Sequence, residues 1–297
     1  MVKIDNLKTE RRNPKTKDLD LLSTSQILSI MNEEDLNVVA GVKEALPQIE
    51  KVVEYAAKTI QGGGRVVYIG AGTSGRTGLI DAVETGPTFN CEHDEFLGIL
   101  AGGLPAVKKS KEGAEDDKEL AVNDCKEVNL SANDFLIGIA ASGRTPYPIG
   151  AMEYMHEIGG KTACIACNKN SQMAAYADFP IEVDAGPEIL TGSTRLKSGT
   201  VQKIVCNMIS TTTMVRVGKV YGNLMIDVKA TNLKLIERCR RIVMEATGCD
   251  HDLADKVLNE VDNDCKLATI MIITSCTKQE AIDRLNNAKG IVREALK

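Results

Sequence analysis

Five short apolar runs, at 66–69, 96–100, 134–140, 162–167 and 179–183, are separated by longer stretches of mixed polarity. Continuous apolar runs of this length, rather than strict alternation, predict strands covered on both faces, and the spacers are long enough for crossover helices. The alternation therefore predicts a parallel, doubly wound α/β sheet in three layers. Before it, Ser25 to Asn32 and Val38 to Ile60 carry helical spacing, the second interrupted at Pro47, and Gly62-Gly63-Gly64 closes that region. Beyond Leu196 the strand pattern stops, and helical spacing runs over 197–217, 224–246, 251–260, 264–275 and 278–295. Gly248 is placed to close a helix there, and Asp250 and Thr277 to cap the next ones. The expected organisation is an extended segment over 1–23, broken at Asn13-Pro14, a main domain over 24–246 and a small helical domain over 247–297.

Composition narrows the function. A chain of 297 residues that is 43% hydrophobic can bury one large core and carry a small appendage. Its net charge of −5, with acidic and basic residues mixed throughout, offers no basic footprint for nucleic acid or an anionic membrane. No apolar stretch reaches the roughly 20 residues of a membrane helix, and the polar N-terminus is unlike a signal peptide, so a cytoplasmic location is expected. The nine cysteines are scattered, and the single C-x-x-C, Cys164 to Cys167, falls inside an apolar run, where buried reduced thiols are common. The three histidines have no spacing that would gather them around a metal, and none is expected.

The candidate chemistry lies where apolar runs end. Ser-Gly-Arg-Thr occurs at Ser74–Thr77, after Val66-Val67-Tyr68-Ile69-Gly70, and again at Ser142–Thr145, after Phe135 to Ala141. Each copy reads as strand, tight turn and helix start, where unpaired N–H groups and the helix dipole favour an anion and hydroxyls add neutral hydrogen bonds. Gly70, Gly72 and Gly75 also fit the dinucleotide fingerprint, but that site needs an acid at the end of the second strand. Phe96 to Leu100 runs instead into Ala101-Gly102-Gly103, with Glu92, Asp94 and Glu95 at the opposite end. A phosphate-bearing small molecule without a base fits better, the chain being only 3% aromatic. A third polar cluster, Thr191 to Thr200, precedes the long helix expected from Lys197. One such cluster is more often a cap than a ligand site, but three at successive helix starts point to a site.

The turns Gly70–Gly75 and Ala141–Thr145 resemble the sugar isomerase (SIS) domain, a doubly wound phosphosugar-binding fold. In order, Thr9–Pro14, Gly70–Arg76, Glu112–Asp116, Ala141–Tyr147, Gly192–Lys197 and Tyr221–Met225 resemble the N-acetylmuramic acid 6-phosphate etherase family. One segment departs: Asp81-Ala82-Val83-Glu84-Thr85-Gly86-Pro87-Thr88 stands where the family usually reads Asp-Ala-Ser-Glu-Cys-Pro-Pro-Thr. The resemblance implies cleavage of the lactyl ether of N-acetylmuramate 6-phosphate by elimination and water addition, without cofactor. It implies Glu84 as the acid that protonates lactate and Glu115 as the base at C2. Flanking Ala82-Val83 and Gly86-Pro87 would give Glu84 an apolar pocket that keeps it protonated. For Glu115, among Glu112, Asp116, Asp117 and Glu119, the residues alone read as a solvated helix start.

Ser142, Gly143 and Thr145 are then expected at the phosphate, Thr73 and Ser74 at the sugar hydroxyls or the phosphate edge, and Ser193, Thr194 and Lys197 completing the pocket. Arg76 and Arg144 either bind phosphate or brace the turns. Related domains pair around their sites, which implies a homodimer with shared pockets. A sugar-phosphate isomerase would use the same anchor with one base, and a phosphosugar-sensing regulator would need neither glutamate. The pairing of Glu84 with Glu115 separates the etherase from both.

Overall fold

The computed structural model describes residues 7–91, 95–109, 111–230 and 232–297. Glu92, His93 and Asp94 lie outside the described residues. The chain forms two compact units: the described residues of Met1–Val83 and Glu95–Ser210 make one, those of Glu84–Asp94 and Thr211–Lys297 the other.

In the first unit, α1 (Thr24–Glu44) and α2 (Leu46–Gln61) lead into β1 (Val66–Gly70) and α3 (Gly72–Phe89), which runs on into the second unit. Then come β2 (Phe96–Leu100), the short α4 (Pro105–Lys108), α5 (Lys118–Glu127), β3 (Phe135–Ala140), α6 (Pro146–Glu157), β4 (Lys161–Ala166), β5 (Phe179–Glu182) and α7 (Lys197–Arg216), whose last turns from Thr211 also belong to the second unit. The five strands are parallel in the order β2-β1-β3-β4-β5. Each expected run became a strand, and β1 and β3 are buried at every position, which is why their sequences show no alternation. The order reverses direction between β1 and β3, where an open α/β sheet leaves a crevice at its carboxyl edge.

Helices cover the sheet through regular apolar stripes. In α2, Ile49, Val52, Val53, Ala56 and Ala57 are buried, a spacing of three and four that forms one face. Between α2 and the sheet, Tyr55 packs on Phe135 and Phe179, with ring centres 4.8 and 5.1 Å away. The gap expected between Asn32 and Val38 does not exist: α1 is continuous, opened by a Ser23/Gln26 capping box. The break falls at Ala45, and Pro47 sits in the first turn of α2, where its missing N–H costs nothing. Cys164 and Cys167 are buried, and burial pushes both thiols up to about 12.

The second unit contains α8 (Leu233–Thr247), α9 (His251–Glu260), α10 (Cys265–Thr274), α11 (Lys278–Asn287) and the short α12 (Val292–Ala295). Its core joins Cys239, Ile242 and Val243 of α8 to Val257, Leu258, Ala268 and Ile270, so residue 247 falls between two helices of one core. Asp250 and Thr277 cap α9 and α11, and Gly248 ends α8 with φ +76°, as the sequence predicts. Two boundaries differ. Residues 224–230 are not helical, Asn232 caps α8, and Lys289 and Gly290, both at positive φ, separate α11 from α12. No described helix is long and apolar enough to cross a membrane.

Candidate functional site

The first Ser-Gly-Arg-Thr is helical. Gly72 turns the chain out of β1 with φ +55°, α3 begins at once, and Thr73 and Ser74 occupy its first turn, where backbone N–H groups have no intrahelical partner. Gly75 permits this: a Cβ there would lie 2.3 Å from the carbonyl oxygen of Gly70. Arg76 then donates to the carbonyl oxygens of Ala106 and Val107, at 2.6 and 3.2 Å, bracing the loop after β2.

The second copy is a loop. Pro146 opens α6 and holds Thr145 in an extended conformation, φ −60° and ψ 125°, so the helix cannot reach back into the tetrapeptide. Gly143 takes φ +68°, and the Ser142 hydroxyl accepts the Arg144 N–H at 3.3 Å. Buried Asn168 fixes this loop: its side-chain amide donates to the carbonyl oxygens of Ala141 and Ser142 at 3.1 and 3.4 Å.

The same Asn168 amide also donates to the Thr9 hydroxyl at 3.0 Å, and its oxygen accepts the Lys8 N–H at 2.8 Å. The segment from Lys8 to Thr16 is thus strapped to the body. Thr16 donates to the carbonyl oxygen of Ile189 at 2.7 Å, and Asn13 to Glu34 of α1 at 2.9 Å. Lys197, expected in the pocket, is spent here: its ammonium, 2% exposed, pairs with Glu34 at 2.7 Å and donates to the carbonyl oxygen of Ala185 at 2.9 Å. A buried ammonium needs such a partner, and α1 supplies it. Burial pushes Glu34 up, but hydrogen bonds from Lys197, Lys15 and Asn13 outweigh it and hold the carboxyl at about 2. Glu188 accepts the N–H groups of Lys197 and Ser198 at 3.0 and 2.9 Å, taking the capping role at α7.

A cavity of about 510 Å³ opens at the carboxyl ends of β1 and β3. The structure brings Thr73, Ser74, Glu115, Ser142, Thr145 and Thr194 together around it. Gly143, Ser193, Lys197 and Glu84 are not among its lining residues. Glu115 stands on a 3-10 turn, Ala114–Asp116, that Gly113 starts with φ +77°, and its exposed carboxylate has no ion-pair or hydrogen-bond partner among the described residues. A second cavity, of about 320 Å³, shares Ala71, Gly72 and Glu115 with the first. Glu84 faces outward on α3, its carboxylate exposed and its neighbour Val83 62% exposed. The apolar surround expected for Glu84 is therefore not formed within the chain, because the helix turns Ala82 and Thr85 inward and Val83 and Glu84 outward.

Sequence reasoning also missed residues that line the larger cavity. Lys118, held by Glu153 at 2.8 Å, and Gln172 reach it, as does Glu10 from the strapped segment; Arg144, expected either at the phosphate or as a brace, lines it too. Glu10 lies inside Thr9–Pro14, a segment marked by resemblance but carrying no pattern that signals a ligand group. Among the described residues no cluster of three or more His, Cys, Asp or Glu is placed to hold a metal ion.

Comparison with known proteins matches the geometry. Residues 48–156 match the glucokinase regulatory protein N-terminal SIS domain family, and residues 123–211 the SIS domain family. The chain is 52% identical over 293 residues to N-acetylmuramic acid 6-phosphate etherase 2 of Enterococcus faecalis, covering 99% of both chains. It belongs to the N-acetylmuramic acid 6-phosphate etherase family. The etherase of Bacillus mycoides is 51% identical, over 99% of this chain and 100% of that one. As a member of this etherase family, the chain presents a crevice lined at the strand ends by the hydroxyl residues Thr73, Ser74, Ser142 and Thr145, together with Arg144 and Lys118. The exposed carboxylate of Glu115 lines the same crevice.

Proposed function

We propose that the protein cleaves the D-lactyl ether of N-acetylmuramic acid 6-phosphate, giving N-acetylglucosamine 6-phosphate and D-lactate. The observation that carries this reading is etherase identity along the whole chain, 52% over 99% of both sequences. The cavity supplies a physical route. With the sugar ring open, the C1 aldehyde acidifies the C2 hydrogen, and the Glu115 carboxylate takes that proton. The electrons form a C2–C3 double bond while the C3–O bond breaks, and Glu84 gives its proton to the departing lactate oxygen. Water then adds across the double bond: Glu84 takes a proton from it as its hydroxyl joins C3, and Glu115 returns its proton to C2, restoring the sugar and both glutamates.

In this reading the loop Ser142-Gly143-Arg144-Thr145 seats the phosphate and Thr73 and Ser74 hold sugar hydroxyls, with Thr194 closing the far wall. Lys197 serves from behind, through Glu34, rather than on the ligand. The chain acts in the cytoplasm as a homodimer. A second copy covering Ile80 and Val83, 63% and 62% exposed, supplies the dry surround that a proton-donating Glu84 needs. The test is lactate release from N-acetylmuramate 6-phosphate, with chelator present. Glu84→Gln is expected to abolish release while sparing phosphosugar binding, and unchanged turnover in that variant overturns the role of Glu84. No lactate from the wild type overturns the reaction.

A further inference from the structure

We infer that Glu10 is a substrate-binding residue, a carboxylate that accepts a hydrogen bond from a neutral donor of the sugar and sets which end of the ligand lies beside it. The inference rests on the phosphosugar reading above and adds a residue to it. Glu10 lines the same cavity as Ser142, Thr145 and Glu115, although some sixty residues of chain or more separate it from each turn.

Its position is fixed from both sides. Thr9, 1% exposed, is bound by Asn168, and Asn13, 2% exposed, donates to Glu34 and to the carbonyl oxygen of Pro187. Asn168 is also the residue that holds the second turn, so one buried amide sets the Glu10 backbone relative to the phosphate seat. A backbone so placed needs no rearrangement when a ligand enters, which leaves only the Glu10 side chain to order. The Glu10 carboxylate has no ion-pair or hydrogen-bond partner among the described residues, and it lies beside Gly192, at the wall that Thr194 also lines.

An ionised carboxylate can only accept. Beside it, a phosphate or the lactyl carboxylate would meet like charge, whereas a sugar hydroxyl or the acetamido N–H would complete a charge-assisted bond. Glu10 therefore discriminates against the wrong orientation as well as stabilising the right one. Its work is done equally in the ground state and the transition state, so its loss belongs in KM rather than kcat.

The experiment compares wild type, Glu10→Gln and Glu10→Ala by calorimetric titration with N-acetylglucosamine 6-phosphate, 2-deoxyglucose 6-phosphate and inorganic phosphate, alongside turnover and urea unfolding. For Glu10→Ala we expect affinity for N-acetylglucosamine 6-phosphate to fall about tenfold or more, KM to rise by a similar factor and kcat to stay within about twofold. Inorganic phosphate should bind as well or better, and the unfolding midpoint should not move. Glu10→Gln, which keeps an acceptor oxygen, should lose less. Loss for N-acetylglucosamine 6-phosphate alone places the acetamido N–H at Glu10, and loss for both sugars places a hydroxyl there. Parallel loss for all three ligands with a lowered midpoint means the strap has failed and overturns the inference, as does unchanged affinity for both sugars. A wild type that binds the sugars but releases no lactate overturns the reaction and not Glu10, and one that binds neither overturns both.

Discussion

The same four residues, Ser-Gly-Arg-Thr, build two different structures in this chain. At 74–77 they are the first turns of α3, with Gly75 pressed on the Gly70 carbonyl and Arg76 braced against the loop after β2. At 142–145 they form an open loop whose arginine lines the cavity. The following residue makes the difference: Gly78 lets the first copy continue as helix, whereas Pro146 forbids helical geometry at Thr145. Identical local chemistry is therefore shaped by its flanks: one copy becomes the packed first turns of a helix, and the other a loop in which the Gly143 N–H bonds the Ala140 carbonyl oxygen and the Arg144 N–H the Ser142 hydroxyl.

Gly75→Ala should have the largest effect. Its new methyl would meet backbone at 2.3 Å and Leu100 at 2.6 Å, so a loss of about 3 kcal/mol or more is expected in urea unfolding. A variant as stable as the wild type would break the claim that the first turn is a packed joint. The second turn leans instead on distant groups, through Asn168 to the strap and through Asn13 to Glu34. Glu34→Gln leaves the Lys197 ammonium buried without its counter-charge, at a cost of about 3 kcal/mol at neutral pH. The Glu34 pKa is lowered from 4.5 to about 2, so its contribution is complete above the unfolded value and disappears as pH falls toward 2. Wild type and variant should converge in stability there. At neutral pH, amide exchange in the variant should quicken at Ser142–Arg144 and not at Thr73–Gly75.

Single hydroxyls sharpen the comparison further. Ser142→Ala is expected to weaken binding of N-acetylglucosamine 6-phosphate about tenfold, and Ser74→Ala about threefold, by calorimetry. Equal losses would make the two turns equivalent seats. The smallest effect belongs to Pro146→Ala, which frees Thr145 to join α6: affinity should fall about threefold while stability shifts by less than about 1 kcal/mol.

Much of the fold was legible because the central strands β1 and β3 are buried at every position, and a doubly buried strand writes itself as an unbroken apolar run. Capping chemistry at Asp250 and Thr277 was equally local and equally readable. The helix start near 224 was misplaced because Tyr221 and Leu224 pair across a tight turn, which apolar spacing cannot reveal. At the site, Thr73, Ser74, Ser142 and Thr145 could be named because strand ends announce themselves, and Glu115 by family motif. Lys197 was misjudged because its partner, Glu34, is 163 residues away. Glu10 was invisible for the same reason, since only the closed fold brings it to the cavity.

The strapped N-terminal segment has a consequence for the order in which the protein is made. Lys8, Thr9 and Asn13 bind partners 160, 159 and 174 residues further on, so the first described residues to leave the ribosome must wait for partners made much later. Closing so long a loop is entropically slow and waits until the loop after β4 that carries Asn168 and the segment to Ile189 exist. A chain interrupted before that point holds Ser74 and Ser142 already translated yet lacks one wall of the crevice, so completion of the cavity marks completion of synthesis through this region.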